Sequence, residues 1–266
     1  MITINQAYTY DPTRTLTLRK RFSGEMKRRF LSLKKDITSL IKTTKYDDLG
    51  DVLSFFTSEI AKLEYLTFEV TDVSGHWSKK FIDTSYSAGI TRASAELKKI
   101  GAFAAESRGL SAVQRMALEG HARNLAILEA GVISSVKEAV AALNSSIITT
   151  MTDGALHNVS KSTIISQIRK KIDKSLVTRG LPIARTEIVR SFVTAAMREY
   201  EDSGVSDVEI AAECTTARDG HVCPSCASLD KKIFPISVIR AMLPLHPNCR
   251  CFPKPVLKRK KKDDNE

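Results

Sequence analysis

The stretch Cys223-Pro-Ser-Cys226, followed by His246-Pro-Asn-Cys249-Arg-Cys251, decides how the last quarter of the chain is read. A Cys-x-x-Cys knuckle presents two thiolates to one tetrahedral ion, and a second ligand pair about 20 residues on lies within the usual spacing of a zinc site. Cys223 and Cys226 supply the first pair. Alternation along a strand puts Cys249 and Cys251 on one face, so His246, Cys249 and Cys251 compete for the two remaining positions. The plainer alternative is a cluster of small buried thiols without a metal. A bound ion is expected to be zinc in a structural role, because a catalytic site keeps one position open for water. Cys214, nine residues before the knuckle, reads as a core thiol at a strand end, and His221 as an alternative ligand.

Working outward, Val205–Cys214 sets Val208, Ile210 and Ala212 against polar neighbours and reads as a strand. Arg250–Val256 reads as a second extended segment whose prolines suit a sheet edge, and a short helix is expected near Ser237–Met242. Residues 11–203 read as mainly helical. Asp11-Pro12-Thr13-Arg14 is expected to cap and open the first helix. In it Phe22, Met26, Phe30, Leu33, Ile37, Leu40 and Ile41 recur at spacings of three and four, with basic residues on the other faces. Asp47, Asp48, Gly50 and Asp51 mark a break before a helix over Val52–Leu66, and Thr67–Ser78 reads as loop or short strand. Ser78–Ile100 and Ser111–Met151 read as helices, the second with Leu118, Leu125, Leu128, Val132, Val136, Val140, Leu143 and Ile147 on one stripe. Ser160 caps a further helix, and Gly180-Leu-Pro182 supplies a stop and a restart running to about Asp202. The expected fold is mainly α, with long helices followed by a small carboxy-terminal α+β unit carrying the Cys/His knuckle. The expected division is 1–155 (basic arm and helical region), 156–256 (knuckle domain) and 257–266 (tail).

The 266 residues carry 41 Lys and Arg against 30 Asp and Glu, a formal charge of +11. Residues 1–45 hold +8 of this and 254–266 hold +3, leaving a neutral body with a basic arm and a basic tail. Arg19, Lys20, Arg21, Lys27, Arg28, Arg29, Lys34 and Lys35 in the arm, and Lys258, Arg259, Lys260, Lys261 and Lys262 in the tail, are candidate contacts to phosphate backbones or an acidic partner. Stacking aromatics are few, so nucleic-acid contact is expected to be electrostatic and sequence-tolerant. The amino-terminal residues show no secretory pattern, and the most apolar run, Val132–Met151, is broken by Lys137, Glu138 and Asn144, so no membrane span and a cytosolic site of synthesis are expected. Five cysteines crowded into the last quarter fit a disulfide scaffold poorly. Glu187, Glu213, Asp219 and Asp230 could serve a metal-dependent nuclease, but four carboxylates in that span are ordinary composition, and Glu187 has a plain alternative as an i,i+3 partner of Arg190. His76, His121 and His157 have no partner in sequence and read as surface or satisfied core imidazoles.

Thr216-Ala-Arg-Asp219 leading into Cys223-Pro-Ser-Cys226, then Pro244-Leu-His-Pro-Asn-Cys-Arg-Cys251, resembles the carboxy-terminal signature of the Mu F-like head morphogenesis proteins of tailed phages, also called minor head or minor capsid proteins. Ile183-Ala-Arg-Thr-Glu187, with the Ala-rich helix to Tyr200, is similar to that family's Ala-Arg-Thr-Glu helix, and Asp11-Pro-Thr13 before a basic helix looks like the start of some members. The resemblance covers residues 160–256 most fully. Where the family often has a Gly in a turn after the knuckle, this chain reads Asp230-Lys-Lys, so a local difference in the hairpin is expected. The resemblance implies a non-enzymatic virion protein, assembled in the host cytoplasm and held inside the head near the portal, that assists head morphogenesis and DNA passage or ejection. The partners it implies are the portal protein, capsid or scaffolding protein, and double-stranded DNA without sequence preference. Arg185, Glu187 and Asp219 are then structural, the first two tying their helix to the knuckle. A metal-dependent nuclease or effector delivered with the DNA, and a plain nucleic-acid-binding module, are the alternatives.

Overall fold

The structure, a computed structural model, describes residues 11–43, 49–69, 75–102, 109–203 and 208–259. Its helices are α1 (Leu16–Thr43), α2 (Leu49–Phe68), α3 (Lys79–Lys99), α4 (Ala112–Met116), α5 (Glu119–Leu156), α6 (Lys161–Ser175), α7 (Leu181–Glu201), α8 (Pro224–Ala227) and α9 (Ile236–Met242). Three strands, β1 (Val208–Thr215), β2 (Ile233–Pro235) and β3 (Phe252–Arg259), form one antiparallel sheet in the order β2-β1-β3. The chain is thus mainly helical with a small carboxy-terminal sheet, as its periodicities predict. No helix among the described residues is long and apolar enough to cross a membrane.

Two compact units are present, one of Met1–Arg19, Lys80–Leu128 and Thr186–Glu266, the other of Lys20–Lys79 and Glu129–Arg185. In the second, the predicted stripe of α1 is the core: Phe22, Met26, Phe30, Leu33, Ile37 and Ile41 are at most 2% exposed. Each such side chain contributes about 1.5–3 kcal/mol relative to exposure. Phe30 meets Phe68 edge-on at 5.2 Å and Phe22 meets Trp77 at 5.6 Å. Trp77 Nε1 donates to the Phe68 carbonyl at 2.9 Å, and His76 Nε2 also lies 3.1 Å from it, which satisfies an orphan acceptor at the end of α2. Ser160 caps α6 by accepting from the Thr163 N–H at 3.3 Å, as predicted.

Several local expectations are corrected. The first helix begins at Leu16, not at Asp11-Pro12, because Asp11 Oδ1 accepts from the Thr13 N–H (3.2 Å) and hydroxyl (2.7 Å) in a turn, and Arg14 sits at φ 55°. Thr67 and Phe68 close α2, and no described residue of 67–78 is in a strand; residues 70–74, like 47–48 in the expected break, lie outside the described residues. The helix expected over Ser111–Met151 breaks at Ala117-Leu118. Arg115 and His121 both face Glu199, yet on one continuous helix six positions would place them about 120° apart. At Gly180 the chain does not stop: Leu176–Gly180 form one π-helical turn, with the Leu181 N–H donating to the Leu176 carbonyl, and the helix runs on through Pro182.

In the first unit α3 and α7 pack closely enough that a Cβ on Gly89 would lie 2.8 Å from Ala195 Cβ. Ser85 donates to the Ile188 carbonyl (2.7 Å) and Ser191 to that of Ile82 (3.0 Å). Their shared core continues from Leu97, Val189, Phe192, Val193 and Met197 into Ile210 and Ala212 of β1, and on to Cys226, Cys249, Cys251 and Phe252. β3 carries Pro253 and Pro255 on the sheet edge, paired with Cys214 and Ala212, and Tyr200 donates to the Pro253 carbonyl at 3.1 Å. β2, three residues long, has no counterpart in the sequence reading.

Candidate metal centre

Three segments of the first unit converge on one cluster. Cys223 caps the one-turn helix α8, its sulfur accepting from the Cys226 N–H at 3.3 Å, with Pro224 opening the turn. The returning loop, Pro244–Cys251, carries Asn248 at φ 66°, a left-handed conformation that Asn tolerates. Its Asn248 N–H donates to Thr186 Oγ1 of α7 at 3.0 Å. Asp219, four residues before the knuckle, grips Arg250 through two bonds, Nη1–Oδ2 at 2.6 Å and Nη2–Oδ1 at 2.7 Å.

Between these segments, His246 Nε2 lies 3.2 Å from Cys223 Sγ and 3.0 Å from Cys226 Sγ, and Cys226 Sγ lies 3.9 Å from Cys249 Sγ. Cys223, Cys226 and His246 form one group able to hold a metal ion, and Cys226, Cys249 and Cys251 another; within each group the donor atoms lie within 4.8 Å of one another. Tetrahedral zinc with bonds near 2.3 Å to sulfur sets sulfur atoms about 3.8 Å apart, which the Cys226–Cys249 separation matches. All five cysteines are free. Cys249 and Cys251 meet on one side of the cluster from the loop ahead of β3, not from the strand itself. The cavity among these donors is about 20 Å³, room for one ion or water and too small for an organic substrate.

The protonation shifts divide the cluster, with Cys223 and Cys249 lowered and Cys226 and Cys251 raised. Burial pushes the Cys226 thiol up to about 12, whereas a hydrogen bond with Cys251 pulls Cys249 down to about 5. Cys251 is shifted upward, first by its bond with Cys214 and then by that with Cys249. The Cys226 N–H lowers Cys223. Burial works against the charged form of His246, but the Pro247 carbonyl and the neighbouring Cys249 and Cys223 outweigh it. His246 Nδ1 donates to that carbonyl at 2.8 Å, which leaves the Nε2 lone pair facing the sulfurs, the arrangement found around metal-bound imidazoles.

The remaining sequence-derived residues separate clearly. Cys214 is buried at the end of β1, as expected. His221 is exposed, and its N–H donates to Asp219 Oδ1 at 3.0 Å. Glu187 pairs with Arg190 of its own helix at 3.2 Å, and Arg185 is exposed. Thr186, between them in sequence, ties the helix to the returning loop by accepting from the Asn248 N–H, where Arg185 and Glu187 are expected to do so. Asp230 accepts from the Thr216 N–H and hydroxyl and from Arg218, while Lys231 takes φ 65°, doing in the turn what a Gly would do. Of the arm, Arg19 binds Asp11 and Thr15, Arg29 binds Glu25 and the Thr67 carbonyl and stacks over Trp77, and Lys34 pairs with Asp173. Arg28, though exposed, pairs with Glu25. Lys20, Arg21, Lys27, Lys35 and, on β3, Lys258 are exposed. Arg259 ends β3, and Lys260, Lys261 and Lys262 lie outside the described residues.

Sequence reasoning missed a second polar centre in the same unit. His121, 1% exposed, lies 3.1 Å from the Tyr86 hydroxyl through Nδ1 and 3.3 Å from Glu199 through Nε2. Arg115 pairs with Glu199 at 2.6 Å and bonds Ser94 at 2.7 Å. No spacing signals this convergence, since its members come from α3, α4, α5 and α7. No protein-family model, curated protein or solved structure matches the chain.

Proposed function

We propose that this chain is a phage minor head protein whose carboxy-terminal unit is closed by a single structural zinc ion. It associates with the portal or inner capsid and with DNA, and assists head morphogenesis and DNA passage or ejection. The observation carrying the reading is that the motifs behind the resemblance, Cys223-Pro-Ser-Cys226 and His246-Pro-Asn-Cys-Arg-Cys251, meet around one ion-sized cavity continuous with a hydrophobic core, with Asp219 bracing Arg250 beside it. Cys223, Cys226, His246 and Cys249 hold the zinc, and Cys251 supports Cys249 from behind. A site with room for one ion and no organic substrate suits a rigid docking module better than an active site, and the nearby carboxylates of Asp219 and Asp230 are both committed to arginines.

Counting this chain against the major capsid protein in purified particles of its phage, by quantitative mass spectrometry, tests the reading. A few copies per head support it, and loss on DNA ejection adds delivery with the genome. Absence from every particle overturns it.

A further inference from the structure

In the unit of Lys20–Lys79 and Glu129–Arg185, α1 and α6 border a groove of about 450 Å³. Four cations line it, Lys34, Lys35 and Lys42 from α1 and Arg169 from α6, together with the hydroxyl residues Thr38 and Ser39; Leu31 is the single apolar lining residue. No carboxylate and no aromatic ring is among the lining residues. Lys34 is fixed by both oxygens of Asp173, at 2.6 and 2.7 Å, so it joins the two helices. Lys35, Lys42 and Arg169 have no ion pair among the described residues, and all three are exposed. Their charge is thus directed outward, where the cations of the same arm that face the core have internal partners.

We infer that this groove is a binding site for the phosphodiester backbone of duplex nucleic acid. The inference deepens the DNA-contact part of the reading above and rests on it. Lys35 and Lys42 are two helical turns apart on one face, about 10 Å along the axis. A duplex offers one negative charge per ~1.7 Å of its axis, so it can engage both lysines and Arg169 across the groove together. Single-strand sites use aromatic platforms for base stacking, and this lining has none. Nothing here presents a donor and acceptor pattern to base edges, so the contact positions the duplex without reading its sequence.

The test is fluorescence anisotropy of the full chain with a labelled mixed-sequence DNA duplex over a range of salt concentrations. The comparison is with Lys35→Ala/Lys42→Ala/Arg169→Ala and with Lys20→Ala/Arg21→Ala/Lys27→Ala, all checked for unchanged circular dichroism. The groove variant is expected to lose about tenfold or more in affinity at low salt, and its salt slope to fall by up to about 2.7, or 0.9 per lost phosphate contact. The second variant is expected to change less. If the full chain binds no DNA, both the inference and the DNA-contact reading fail. If it binds and the groove variant binds equally well, the groove assignment alone is overturned. Displacement of the duplex by polyglutamate at equal charge concentration overturns the phosphodiester assignment in favour of an acidic protein partner.

Discussion

Asp219 and Arg250 face each other through two parallel hydrogen bonds of 2.6 and 2.7 Å, joining the segment before the knuckle to the position between Cys249 and Cys251. The pair spans the cluster's two ligand segments, so the approach of the knuckle to the returning loop does not depend on the thiols alone. Such planar, charge-assisted pairing restricts orientation as well as distance.

Replacing Asp219 with Asn is therefore expected to destabilise the protein by about 2 kcal/mol near neutral pH. Bonding to Arg250 holds the Asp219 carboxyl down at about 2 against an ordinary value of 3.8. A depressed carboxyl stabilises the fold above its unfolded value, and the contribution disappears as pH falls from 3.8 toward 2. Urea midpoints of wild type and Asp219→Asn should differ at pH 7 and approach each other below about pH 4. A constant difference across that range would contradict the ionic role.

Thr186, not Glu187, couples α7 to the returning loop. Thr186→Val removes the acceptor for the Asn248 N–H and should cost about 1–2 kcal/mol, the penalty for a poorly solvated donor left unpaired. Glu187 is itself buried, but its i,i+3 partner Arg190 is half exposed and burial already raises the carboxyl, so Glu187→Gln, which keeps the side chain's size, should cost less, under about 1 kcal/mol. Thermal melts of the two variants rank them, and the reverse order would show that the tie is misassigned.

Glu199 accepts the Arg115 guanidinium and lies beside His121 in a site where its side chain is 1% exposed. Arg115→Met leaves that carboxylate buried without its main counter-charge, at an expected cost of about 3–5 kcal/mol. Chemical denaturation measures this directly. A loss below about 1 kcal/mol would mean that the pair is effectively solvated.

Glu64 of α2 is 3% exposed, and its Oε1 has no hydrogen-bond partner among the described residues. Burial raises its carboxyl to about 8 from 4.5. The folded state therefore keeps a proton that the unfolded chain releases between these values. Stability should fall as pH rises across that window, by up to about 1.4 kcal/mol per unit. Glu64→Gln should flatten the profile. If wild type and variant show the same slope from pH 5 to 8, the buried carboxyl is not its source.

Much of this architecture follows from local pattern. The stripe Phe22 to Ile41 has one spacing that buries it, Ser160 stands where a helix needs its first N–H groups capped, and the alternation of Val208, Ile210 and Ala212 suits one face of a strand. The cluster of Cys223, Cys226, His246, Cys249 and Cys251 is legible for the same reason, since its members fall in two short-spaced groups, Cys-x-x-Cys and His-x-x-Cys-x-Cys. What escaped depends on groups far apart in sequence. The break between Arg115 and His121 accompanies their shared contact with Glu199, and Arg19, Arg29 and Lys34 look like free surface charge until Asp11, Thr67 and Asp173 are brought to them. The π-helical turn at Leu176–Gly180 fell where Gly and Pro ordinarily signal an end. Thr186 was hidden by the charged residues on either side, whose chemistry looked better suited to a tie.

The most direct test of the metal centre is the zinc content of the purified full chain by inductively coupled plasma mass spectrometry, alongside Cys223→Ser, Cys249→Ser and Cys251→Ser. One zinc per chain is predicted for wild type, with loss in the first two variants and retention in the third. A wild-type chain that folds without zinc, and stays metal-free after refolding with zinc in excess, would contradict the assignment and leave the cluster as buried thiols.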